Sequence, residues 1–322
     1  MSNARIAGTG SYLPENVVTN KDLEKSMDTS DDWIRERTGI CRRHLAAEGE
    51  TCSDMALAAA HKAIDMAGID IADIDLIIIG TTTPDKVFPS TACIVQRRLG
   101  VGGFPAFDVQ AVCSGFVYAF DLANRMIKTG GATTALVIGS ETLSRIVNWE
   151  DRGTAVLFGD GAGAVILQAC KEEGVIATHI HADGQYEDLL EVPFGISSGY
   201  DQVKAGKAFI QMNGNAVFRR AVATLDSIGR ETLAGHGIDK HDIDWFVPHQ
   251  ANLRIITAAA KKLDLPMEKV VVTVQEHANT SSASIPLALD TAVRDGRIQR
   301  GQLLLFEAFG AGFTWGSALV RF

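Results

Sequence analysis

GIDIADID at residues 68–75 and GIDKHDID at residues 237–244 are near copies of one another, 169 residues apart. Each follows an alanine-rich amphipathic stretch and precedes an apolar run, LIIIG at 76–80 and WFVPH at 245–249. The parallel continues outward. Asp108-Val109-Gln110 and Thr273-Val274-Gln275 lead into small-residue turns and helices that stop at Gly130 and Gly296. LVIGSE from Leu136 and LLLFEAF from Leu303 come next, and GAGAVILQ and GSALVRF close the two halves. Self-similarity over so long a period is the signature of a duplicated unit. Each unit alternates strand and helix, and its continuous apolar strands are those of sheets covered on both faces, so the chain reads as α/β with mostly parallel sheets. The junction is set at Lys171–Gly174, dividing the chain into halves 1–173 and 174–322. No Gly/Ser- or Pro-rich linker separates them, so two related units packed as one body are expected.

A chain of 322 residues exceeds what one hydrophobic core usually serves, in keeping with two core-forming halves. Its 46% hydrophobic and 21% charged residues are ordinary for a soluble globular protein. No long apolar run or secretory leader is present, which makes the expected location cytoplasmic, without membrane insertion. A net charge of −9 argues against a nucleic-acid-binding surface. The five cysteines are scattered without a CxxC pair, which disfavours disulfides and structural zinc. His179 and His181 alternate along one strand and have no third ligand nearby, so no metal site is expected. FGDGAGA from Phe158 runs into a strand and fits no dinucleotide or phosphate loop.

Chemistry gathers at the turns after strands, where open α/β sheets bind ligands. In PAFDVQAVCSGFVYAFDLANRMIKTG (105–130), Cys113 stands before a helix whose apolar face is Phe116, Ala119, Phe120, Ala123, Met126 and Ile127. That placement predicts a thiol pKa lowered by the helix terminus. The repeat puts His249 at the position of Gly80, a strand end, and Asn279 in the turn matching that of Cys113. Packing of the halves about a pseudo-twofold axis brings the three together. A thiol, an imidazole and a carboxamide suit acyl transfer through a thioester. The order Cys, His, Asn also occurs in papain-like proteases, but this chain has no CGSCW signature and no such duplication.

AVCSGFVYAF, VPHQANLRI, HANTSSASIP, DRGTAVLFGDGAGA and EAFGAGFTWGSALVRF together resemble the β-ketoacyl-[acyl-carrier-protein] synthase III family of thiolase-like condensing enzymes, over essentially the whole chain. The resemblance implies a five-layered αβαβα fold with two mixed, mostly parallel sheets, a homodimer, and the condensation that initiates fatty acid synthesis. Its substrates would be an acyl-CoA, with acetyl-CoA favoured, and malonyl-acyl-carrier protein; no cofactor is implied, acyl-CoA being a substrate. Cys113 corresponds to the acylated nucleophile, and His249 and Asn279 to donors for the malonyl thioester oxygen. By the same resemblance, Cys113 and Ala311 would supply backbone N–H groups to an oxyanion hole. Trp33, Arg37, Thr38, Arg152, Gly214, Phe218 and Asn252 correspond to the CoA and pantetheine site, and Phe88, Leu143, Phe158 and Leu190 border the acyl pocket. Phe88 does so across the dimer interface. The resemblance further implies that Arg219, Arg254, Lys261 and Lys262 form a dock for the acidic carrier protein. A relative using other starters or acceptors in secondary metabolism, and a non-catalytic acyl-CoA- or carrier-binding homologue, are the alternatives.

Overall fold

The structure, a computed structural model, describes residues 2–322. In chain order its main elements are β1 (Asn3–Tyr12), α1 (Asp31–Thr38), α2 (Cys52–Ala67), β2 (Leu76–Gly80), α3 (Thr91–Leu99), β3 (Ala106–Val109), α4 (Gly115–Lys128), β4 (Thr134–Glu141), β5 (Gly161–Cys170), β6 (Val175–Ala182), α5 (Gly214–Ala234), β7 (Trp245–Pro248), α6 (Leu253–Leu263), α7 (Ser284–Arg294), β8 (Leu303–Gly310) and β9 (Thr314–Arg321). Lys171–Gly174 falls between β5 and β6, where the chain passes from one sheet to the other.

The first sheet has the order β1-β5-β4-β2-β3 and the second β7-β8-β9-β6. The copies at 68–75 and 237–244 lead into β2 and β7, each hydrogen-bonded in parallel to the strand formed by the matching segments LVIGSE and LLLFEAF, β4 and β8. Every residue of β2, β4 and β8 is buried, because helices cover both faces of each sheet. α2 and α3 pack outside the first sheet, α4 and α7 lie between the sheets, and α5 and α6 cover the second. These are the five layers anticipated.

The balance of strand directions differs from expectation. Only β2–β3, β2–β4 and β7–β8 pair in parallel; β1–β5, β4–β5, β8–β9 and β9–β6 are antiparallel. The sheets are mixed, but not mostly parallel. Burial on both faces gives the same continuous apolar run in either direction, so hydropathy does not report it. The connection from β8 to β9 is only Ala311–Phe313, far short of the dozen or so residues a parallel crossover needs.

Helix ends follow local chemistry. Thr51 and Asp54 form a capping box at the start of α2, and Gly68 closes it in the left-handed region, φ 66°. α4 and α7, by contrast, start without a side-chain cap, directly after short 3₁₀ turns at Val112–Ser114 and Ser281–Ala283. Those two turns, one from each half, pack against each other in the middle layer. The site forms there.

Candidate active site

Cys113 sits in the 112–114 turn behind Val112, whose φ of 47° is uncommon for a β-branched residue. The turn is fastened to the opposite half. Ser114 Oγ donates to the Thr314 carbonyl at 3.1 Å, and Thr314 Oγ1 donates to the Ala111 carbonyl at 2.9 Å. Gly310, at the end of β8, lies so close that a Cβ there would fall 2.8 Å from the Cys113 nitrogen. The thiol is buried, and burial pushes its pKa up to about 12, against the stabilising influence of the Ser281 hydroxyl and of its own backbone N–H. The depressed thiol expected from a helix terminus is therefore overturned. Desolvation of the charged form outweighs the few donors at the turn.

His249 follows β7 directly, and its N–H donates to the Glu307 carbonyl at 2.7 Å. The ring is buried and its pKa lowered to about 3 by that burial, so the imidazole is neutral. Nδ1 is enclosed without a hydrogen-bond partner. A sealed N–H is costlier than a sealed lone pair, which favours the tautomer carrying its proton on Nε2.

Asn279 is held at both backbone ends: its N–H donates to the Leu157 carbonyl at 2.9 Å, and its carbonyl accepts from Gly159 at 3.0 Å. Its Oδ1 accepts the Ser281 N–H at 2.9 Å, leaving the Nδ2 amide as the free donor. The preceding residue, Ala278, is fully buried at φ 57°, ψ −162°.

Cys113, His249 and Asn279 all line one cavity of about 270 Å³. The sequence-predicted Trp33, Arg37, Thr38, Phe158, Leu190, Gly214, Phe218, Asn252 and Arg254 line it as well. Arg152 does not reach the cavity wall; its guanidinium lies 4.6 Å from the Trp33 ring centre, with that of Arg37 at 4.9 Å. A second cavity of about 320 Å³ also reaches Cys113, and Leu143, Phe158, Leu190 and Ala311 line it. The thiol thus stands between two spaces, one leading to the aromatic and basic residues and the other mainly apolar.

Phe88 belongs to neither cavity of its own chain; it is 83% exposed, beside Val87. Arg219 is exposed on α5, and Lys261 and Lys262 are exposed at the end of α6, whereas Arg254 stacks over Phe218 at the cavity. Three residues went unnoticed in the sequence. Phe309 lines the first cavity and Ser281 the second, while Glu141 is buried behind Ser281. A carboxylate ending the apolar run LVIGSE was the available signal for Glu141. Among the described residues, no cluster of His, Cys, Asp and Glu has the makings of a metal site, and no helix is long and apolar enough to cross a membrane.

Comparison with known proteins matches residues 107–184 to the family 3-Oxoacyl-[acyl-carrier-protein (ACP)] synthase III, and residues 233–322 to its C-terminal counterpart. The chain is 63% identical to the β-ketoacyl-[acyl-carrier-protein] synthase III of Thioalkalivibrio sulfidiphilus over 322 residues, all of both chains. It is 61% identical to that of Xanthomonas campestris over 319 residues, 99% of this chain and 98% of the relative. The crystal structure of the 3-oxoacyl-[acyl-carrier-protein] synthase III from Aquifex aeolicus superimposes with a TM-score of 0.94 at 47% identity, covering 99% of this chain and 100% of that one. The Pseudomonas aeruginosa structure does so with 0.93 at 41%, covering 99% and 98%. The duplicated five-layer fold and these matches along the whole length make one conclusion: the chain belongs to the β-ketoacyl-[acyl-carrier-protein] synthase III family of thiolase-like acyltransferases.

Proposed function

We propose that the chain joins an acyl-CoA, with acetyl-CoA as the starter, to malonyl-acyl-carrier protein by decarboxylative condensation through an acyl-Cys113 thioester, opening fatty acid synthesis. The observation that carries this reading is the convergence of Cys113, His249 and Asn279 on one cavity, with a second cavity beyond the sulfur. Acyl-CoA is a substrate here, and no cofactor is invoked.

The sulfur attacks the acyl thioester, and the N–H groups of Cys113 and Ala311 receive the oxyanion. The acyl chain extends among Leu143, Phe158 and Leu190, capped by Phe88 of a second copy in a homodimer. CoA departs, and malonyl-carrier protein enters by the same route. Loss of carbon dioxide leaves an enolate whose oxygen is met by His249 Nε2 and Asn279 Nδ2. Two fixed donors in a dry site stabilise charge that exists only at that moment, each worth roughly 10²–10³ in rate. A neutral imidazole suits this task, since it donates without requiring a proton from solvent. The enolate carbon then attacks the acyl-Cys113 carbonyl and yields the 3-oxoacyl product.

Trp33 and Arg152 take the adenine, with Arg37 and Thr38 beside it, and Gly214, Phe218 and Asn252 follow the pantetheine arm. Arg152 now covers the Trp33 face, so adenine binding displaces it. Arg219, Arg254, Lys261 and Lys262 receive the carrier protein, an attraction that weakens with salt. The halves 1–173 and 174–322 are the two duplicated units, and the enzyme works in the cytoplasm. The test is labelled acyl-CoA: Cys113→Ala abolishes label transfer to protein, while His249→Ala accepts label but fails to decarboxylate malonyl-carrier protein. Condensation by both variants overturns the reading.

A further inference from the structure

During acyl transfer the buried Cys113 thiol must give up a proton, and the imidazole that shares its first cavity, His249, is held neutral with little basicity. The Ser281 hydroxyl lines the second cavity together with Cys113, and donates to Glu141 Oε1 at 3.0 Å. Glu141 ends β4 and is fully buried. Its Oε2 accepts the Thr82 backbone N–H at 3.0 Å and the hydroxyls of Thr81 and Thr83 at 3.3 and 2.7 Å. Its Oε1 meets hydroxyls only, that of Ser281 and, at 3.1 Å, that of Ser282, whose single hydrogen is shared with the Gly80 carbonyl at 2.7 Å.

This asymmetry has a chemical meaning. A backbone N–H cannot reverse its role, so Oε2 must remain an acceptor, whereas a hydroxyl can turn and accept. A proton reaching Glu141 therefore settles on Oε1, beside Ser281. Among the described residues no lysine, arginine or histidine hydrogen-bonds this carboxylate. Burial raises its pKa above the usual carboxylate value, making it a better proton acceptor than a solvated one. The titratable groups around the pair are the thiols of Cys113 and of Cys52, whose sulfur lies 3.4 Å from Thr81 Oγ1, together with His249 across the cavity and Asp85 near Cys52.

We propose that Glu141 takes up the Cys113 proton through Ser281 when the sulfur is acylated, and holds it until the sulfur is released. This rests on the acyl-Cys113 reading above. In the first half-reaction the S–H proton passes to Ser281 Oγ as the Ser281 hydrogen passes to Glu141 Oε1. The sulfur forms its bond to the acyl carbon, and the bond to CoA breaks, releasing CoA thiolate, which solvent protonates. In the second half-reaction the enolate carbon bonds to the acyl carbon and the Cys113 thiolate leaves. The proton then returns from Glu141 through Ser281, restoring thiol and carboxylate. While the acyl group is in place Glu141 is neutral, which removes a buried negative charge near the place where the malonyl carboxylate and enolate must sit.

Infrared difference spectra of the full chain, acyl-enzyme minus free enzyme, test this directly. A protonated-carboxyl band is expected on acylation by acetyl-CoA and is expected to vanish in Glu141→Gln. Ser281→Ala, which keeps Glu141 and its four other partners in place, is expected to slow acylation about a hundredfold at neutral pH. That deficit should shrink about tenfold per pH unit as the free thiolate fraction rises, a dependence that a merely structural fault would not produce. Should Glu141→Gln fail to fold, the native spectrum and Ser281→Ala still decide. Label transfer to Cys113→Ala would overturn the acyl-Cys113 reading itself. Acylated Cys113 with no carboxyl band, a band that persists in Glu141→Gln, or native-rate acylation of Ser281→Ala would overturn the relay alone.

Discussion

The Asn279 side-chain carbonyl accepts the backbone N–H of Ser281 at 2.9 Å, and this one bond decides which end of the amide faces the cavity. Asn279→Asp keeps the acceptor and loses the donor. Malonyl decarboxylation is expected to fall by roughly 10²–10³, while label from acyl-CoA still reaches Cys113. Carbon dioxide release and acyl labelling, measured on the same preparation, separate the two steps.

His249 and His277 are held neutral by burial, with pKa values lowered to about 3 and about 4 from an ordinary 6.5. The unfolded chain therefore binds more protons than the folded one below pH 6.5. Stability from these two groups is complete above that value and drains away as the pH falls toward 4 and then 3. The urea midpoint at pH 5 is expected to lie below that at pH 7.5, and His277→Gln should narrow the gap. The decarboxylation rate, in contrast, should show no acid limb from His249 between pH 7 and pH 5.

Gly310 leaves no room for a side chain, a Cβ there falling 2.8 Å from the Cys113 nitrogen and 3.0 Å from the Ala111 carbonyl oxygen. Gly310→Ala must push the nucleophile's turn away from β8. Acyl transfer is expected to drop at least about tenfold, since small misplacements of reacting groups are costly. Circular dichroism would show the sheets intact, and stopped-flow acylation would show the loss.

On the proposed role of the Trp33 face, flanked by Arg37 and Arg152, as the adenine site, acyl-CoA and shorter thioesters should respond differently to its loss. Trp33→Ala is expected to raise KM for acetyl-CoA about 2- to 30-fold, the equivalent of losing roughly 0.5–2 kcal/mol of stacking. Kinetics with an acyl thioester of N-acetylcysteamine, which has no adenine, should not change.

Much of this was readable in the chain itself. The copies at 68–75 and 237–244 located the duplicated halves, and the apolar runs after them are the buried strands β2 and β7. Subtracting the repeat length put His249 at a strand end, Asn279 fell in the turn matching that of Cys113, and the structure brings the three together at one cavity. Strand direction was not readable, because a strand buried on both faces has the same composition whichever way it runs. Nor was the state of the thiol: Cys113 precedes a helix, but its turn packs against β8, β9 and the 281–283 turn, which lie far along the chain. Glu141 was hidden for a similar reason. Its five donors come from residues 81–83 and 281–282, a meeting that only the packing of β4 against the second half creates.

Ala278, next to Asn279, holds φ 57° and ψ −162°, a region open to glycine and costly to any residue with a Cβ, by roughly 1–3 kcal/mol. A glycine normally weakens a fold by loosening the denatured chain, about 0.5–1 kcal/mol. Here the relief exceeds that penalty. Ala278→Gly should therefore melt at a higher temperature than the parent while condensing substrate at an undiminished rate, gaining heat tolerance from the residue type usually removed to obtain it.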